Sequence, residues 1–191
     1  MTRTARESLF TLAYVAVGLI AVIAVGYLTF HQKFLHFPRP MLPFLMVGLT
    51  GSLIYAAVQM RGAGLAILMI ALLFLTQVAM TPPIRSATLA GGAIFALPVG
   101  FALLAGAYAQ KSLARFKIGR FVVMGLIVAA GYGLMMVVFL MWTHVEFRPG
   151  LVASQAFAGL KLGAAMGLGF ELVDLIGPRP KHEPEYDRPP A

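Results

Sequence analysis

The chain has 191 residues, of which 60% are hydrophobic and only 12% charged, with a formal net charge of +8 and no cysteine. A soluble domain sits nearer half apolar and a quarter charged, so this composition excludes an ordinary soluble fold. The lack of cysteine excludes disulfides, thiolate metal sites and a cysteine nucleophile.

The first apolar stretch runs from about Leu9 to Phe30. It is too long for the h-region of a signal peptide and lacks a small-residue cleavage site, so it reads as an uncleaved first span. The second stretch covers Met41 to Met60 and the third Gly62 to Met80. The connection Arg61-Gly62 is so short that these two must form an antiparallel hairpin. Thr81-Pro82-Pro83 ends the third stretch, because proline lacks a backbone donor and restricts the residue before it. The fourth stretch covers Thr88 to Ala109, with Pro98 inside it predicting a kink. The fifth runs from Phe121 to Trp142 and the sixth from Leu151 to Ile176, closed by Gly177-Pro178. Runs of about 20 apolar residues match the thickness of a bilayer, and a helix satisfies its own backbone there. The expected fold is therefore all-α: a transmembrane helix bundle of six spans over residues 1–177. The tail, 178–191, is proline-rich and mixed in charge, and is expected to be extended and cytoplasmic.

Basic residues orient the bundle. With the N-terminus inside, Arg3, Arg6 and Arg61, the loop residues Lys111, Arg115, Lys117 and Arg120, and Arg179, Lys181 and Arg188 of the tail make ten on the inner side. Lys33, Arg39, Arg85 and Arg148 make four outside. This positive-inside bias predicts that both termini face the cytoplasm; the expected location is the inner membrane of a prokaryote. Trp142 and Tyr27 then fall at the outer interface. The basic residues face lipid headgroups at span ends, so no nucleic-acid partner is expected.

Small residues recur every fourth position. Gly159, Gly163 and Gly167 form a glycine zipper in the sixth span, with related stripes at Gly125-Ala129-Gly133, Gly92-Ala96-Gly100 and Gly48-Ser52-Ala56. Four residues advance a helix by about 400°, so each set lies on one stripe. Stripes without bulky side chains let backbones approach closely. They serve packing inside the bundle or a face that docks another chain. A weak internal echo relates Gly48-Leu49 with Tyr55 to Gly125-Leu126 with Tyr132 at the same spacing, as two inverted halves would.

Lys161 is the sharpest single residue. It lies near mid-bilayer, about 15 Å into the sixth span. On a helical wheel it points away from the glycine stripe, toward Ser154, Ala165 and Leu168. A central lysine is costly there; it is neutral, snorkels, lines a watery cavity, or pairs with an outside anion or a partner's acid. Glu171 and Asp174, three residues apart, share a face near the end of the same span. They read as an interfacial pair answering the tail cations or the loop Lys111 to Arg120, with a proton or cation site as the other reading.

The four histidines, His31, His36, His144 and His182, all fall outside the spans, so haem or bacteriochlorophyll ligation from a span is not expected. There is no HExxH, GxSxG or P-loop motif. No cofactor, metal or catalytic residue is expected. The functional expectation is a non-catalytic subunit of a larger membrane complex, contacting other integral membrane subunits and lipid through Lys161, Gly159, Gly163, Gly167, Glu171 and Asp174. The alternative is a small-solute transporter, or its substrate-binding membrane subunit, with Lys161 as counter-ion for an anionic solute.

Overall fold

In the computed structural model the described residues are 3–30, 38–60, 63–79, 85–113 and 119–176. Among them are six helices and no strand: α1 (Arg3–Phe30), α2 (Pro38–Met60), α3 (Ala63–Ala79), α4 (Ser86–Ser112), α5 (Arg120–Thr143) and α6 (Pro149–Ile176). The expectations for Arg61-Gly62, Thr81-Pro82-Pro83, Gly177-Pro178 and the tail lie outside the described residues. Helices α1, α2 and α4 extend three or more residues beyond the apolar runs that predict them. A helical backbone keeps its own hydrogen bonds, so it continues past the last apolar side chain into polar sequence.

Among the described residues, four helices are long and apolar enough to cross a membrane: α1, α4, α5 and α6. The apolar stretches of α2 and α3, Leu45–Met60 and Gly64–Ala79, are shorter. With 17 residues, α3 extends about 26 Å, slightly less than a typical hydrocarbon core.

Helices α1, α2, α4, α5 and α6 follow one another around a ring that closes where α6 packs on α1. Helix α3 lies outside it, against α2 and α4. Tyr55, Ile54, Leu103, Met124, Leu162, Met166 and Phe170 fill the centre and are almost completely buried. The perimeter is apolar too: Leu12 and Ile20 of α1, Leu68 and Leu75 of α3, and Leu126 and Leu134 of α5 are all more than half exposed. A surface greasy on both its inner and outer sides is what a bundle immersed in hydrocarbon requires.

The stripes of small residues set the close crossings. Gly92 and Gly100 of α4 face Val78 and Ile70 of α3, while Gly48 and Ser52 of α2 meet Val22 and Gly18 of α1. On α6, a Cβ at Gly159 would lie 2.8 Å from the Val128 carbonyl oxygen, and one at Gly163 would lie 2.9 Å from that of Met124. Gly167 faces Phe121 and Gln110. The glycine stripe of α6 therefore lies against its own chain's α5, and Gly125 of α5 answers it against Ala164 and Leu160. Gly48 faces the first helix and Gly125 the last, so the echoing positions do not repeat each other's packing. Pro98 lies inside an uninterrupted α4, with Gly131 of α5 crossing its carbonyl.

Candidate functional site

The buried charged side chains and Gln110 gather at one end of the bundle, where α1 and α5 begin and α2, α4 and α6 finish, while the buried hydroxyls of Thr50 and Ser52 lie midway along α2. A helix leaves its first N–H groups and last C=O groups without intrahelical partners, and in an apolar setting something must satisfy them. Here side chains from neighbouring helices do so. Helix α5 starts after Gly119, whose φ of 96° lies in the left-handed region open to glycine, and Gly119 supplies no side-chain cap. Instead Glu171 of α6 accepts a hydrogen bond from the Phe121 N–H at 2.6 Å. A carboxylate against a helix N-terminus is also favoured by the helix dipole. Arg120 donates through Nη1 to the carbonyl of Gln110 in the last turn of α4, at 3.3 Å. Lys111 donates through Nζ to the carbonyl of Val58 in the last turn of α2, at 2.6 Å.

Asp174 is the hub. Tyr14 of α1 donates to its Oδ1 at 2.6 Å, and Tyr55 of α2 donates to its Oδ2 at 2.9 Å. Arg120 Nη2 lies 3.5 Å from the same Oδ2, and Arg120 Nε lies 3.9 Å from Glu171 Oε1. Arg120 is 2% exposed and Glu171 3%. Beneath the charges Tyr55 stacks on Phe170 at 4.3 Å, and Tyr14 meets both rings edge-on at 5.1 and 5.9 Å. The rings shield the ion pairs from the rest of the interior and hold the tyrosine hydroxyls at the carboxylate.

Gln110, fully buried, has no hydrogen-bond partner for either amide atom among the described residues. A Cβ at Gly167 would lie 2.6 Å from its Nε2, so the missing side chain at Gly167 is what admits the amide.

The structure thus brings Glu171 and Asp174 together with Arg120, one of the basic residues of the loop expected to answer them. Gly167 borders this cluster, while Gly159 and Gly163 lie further along α6 against Tyr132 and Val128. Lys161 stands apart: its Nζ lies 4.6 Å from the ring centroid of Phe157 on its own helix. Phe157 is more than half exposed, so the ammonium is held on the outward side of α6. Sequence reasoning missed Tyr14, Tyr55 and Gln110, and named Arg120 as a partner for the carboxylates only as one member of the loop Lys111 to Arg120. The available signal was a tyrosine well inside an apolar run, whose hydroxyl needs a partner.

We expect Tyr14→Phe and Tyr55→Phe each to destabilise the bundle by about 1.5–3 kcal/mol, the range for a hydrogen bond to a charged group. Denaturant unfolding in mixed micelles measures this. Wild-type stability in both variants would show that Asp174 does not depend on the hydroxyls.

Chemically, the cluster ties helix ends together. Its carboxylates accept from fixed donors, and among the described residues no group of three or more His, Cys, Asp or Glu is arranged to hold a metal. At the opposite end, between α3 and α4, a concavity of about 360 Å³ is lined by Gln77, Ala87, Thr88, Gly91 and Gly92. Lys161 is not among its lining residues. No protein-family model, curated protein or solved structure matches the chain.

Proposed function

We propose that the chain is a non-catalytic integral membrane subunit of a larger membrane complex. In this reading it crosses a prokaryotic inner membrane six times, with both termini in the cytoplasm. The observation that carries it is the position of Lys161. The inward side of that part of α6 is closed by Gly159 and Gly163 against α5, and the ammonium faces outward beside an exposed phenylalanine. A charge on the lipid-facing side of a span is costly unless something outside the bundle meets it. The other polar groups contribute to the chain's own stability. The transport alternative draws less support, because Lys161 does not line the concavity between α3 and α4.

The test is extraction of the native protein in a mild detergent followed by native electrophoresis. The expected result is migration with other polypeptides at a mass well above that of the chain in its micelle. Migration as a lone monomer, together with saturable binding of a small anion, would replace this reading with transport. Reporter fusions at both termini are expected to report the cytoplasmic side; opposite sides would overturn the even number of crossings.

A further inference from the structure

Among the described residues, Lys161 is the one Lys, Arg, Asp or Glu near the middle of a helix. Its Cα lies about 18 Å along α6 from Pro149 and about 22 Å from Ile176. Its ammonium leans one turn toward the start of the helix, over Phe157, as helical side chains lean. The ion pairs of Arg120 with Glu171 and Asp174 do not include it.

Which anion meets it follows from depth. Glu171 and Asp174 lie about 15 and 20 Å further along α6, and both are engaged by Arg120. Glu7 lies at that same end of the bundle, and Glu146 lies before α6 begins. A second copy in the same membrane orientation would carry these four carboxylates at the same depths, so among the described residues self-association brings none level with Lys161. A lipid phosphate is separated from the ammonium by the two turns between Phe157 and Pro149, about 12 Å of helix. The remaining anion of matching depth is a side chain on another membrane-spanning polypeptide.

We propose that the outward face of α6 bearing Phe157 and Lys161 docks a transmembrane helix of a different protein, and that this helix carries an aspartate or glutamate level with Phe157 which ion-pairs with Lys161. The inference rests on the subunit reading above and names the chemistry of the contact. Phe157 holds the ammonium in position and flanks the pair, excluding lipid and water from it. An ion pair inside hydrocarbon is strong in the sense that matters for assembly: removing one partner leaves the other charge stranded.

The experiment uses the full chain in its native membranes. A membrane-permeant carbodiimide condenses an amine with an adjacent carboxylate into an amide, with no spacer. We expect a cross-link between Lys161 and an Asp or Glu inside an apolar run of another polypeptide, identified by peptide mass spectrometry. In native electrophoresis K161R should retain that polypeptide without forming the cross-link. K161M should lower its apparent affinity by about a hundredfold or more. A wild-type complex that K161M leaves intact overturns the pairing alone. So does a Lys161 cross-link to another copy of this chain, or a K161M variant that loses only bound anionic lipid. A wild-type chain that migrates alone overturns the subunit reading and the pairing with it.

Discussion

Replacing Arg120 with leucine is expected to destabilise the bundle by about 3–5 kcal/mol, the cost of removing one member of a buried ion pair. The guanidinium serves three acceptors on two neighbouring helices: it lies 3.5 Å from Asp174 and 3.9 Å from Glu171 of α6, and 3.3 Å from the Gln110 carbonyl of α4. Leucine would fill much of the volume but leave two carboxylates without their cation at sites almost closed to solvent. Arg120→Lys should restore only part of the loss, because an ammonium is a point charge and cannot reach all three acceptors in the fork geometry of a guanidinium. The triple variant R120L/E171Q/D174N should be more stable than R120L alone, since neutral amides replace the stranded charges. Unfolding in mixed micelles measures all three. An R120L protein within about 1 kcal/mol of wild type would show that the cluster is not what holds this end together.

Gly163→Val is the second large effect. A Cβ there would lie 2.7 Å from Val128 Cβ and 2.9 Å from the Met124 carbonyl oxygen. The second obstacle is backbone, so α5 and α6 must move apart along their crossing. We expect a loss of more than about 3 kcal/mol, at or beyond the usual range for overpacking, with aggregation on extraction. Gly91→Ala is the control: nothing lies within 4 Å of a Cβ at that position. It should change stability by no more than about 0.5 kcal/mol. Size-exclusion profiles and unfolding midpoints in one detergent compare the two. A Gly163→Val chain that folds normally but loses other polypeptides on native electrophoresis would return the stripe to the role of an outward docking face.

The helical class and the position of each helix were legible in the sequence because both follow from the apolar runs. The placement of Gly159, Gly163 and Gly167 on one stripe was legible from spacing alone. Which helix faces that stripe was not, because four spans carry similar stripes and spacing contains no information about pairing. Likewise the spacing of Glu171 and Asp174 put them on a common face, and Arg120 stood among the candidate cations. Tyr14 and Tyr55 were not legible as partners: they reach Asp174 across 160 and 119 residues of chain. Such contacts depend on how the ring of helices closes. Lys161 was legible as an anomaly, but its leaning over Phe157 required the rotamer.

The closure of α6 on α1 has a consequence for biogenesis. Polypeptides emerge from the ribosome N-terminal end first, so α1 and α2 enter the translocon long before Asp174 is synthesised. Until then the hydroxyls of Tyr14 and Tyr55 lack their acceptor, and Arg120 lacks both of its counter-ions. A nascent chain arrested before residue 174 is thus chemically marked as unfinished, because these polar groups have not yet met the partners that α6 supplies. Addition of the last helix erases that mark in one step.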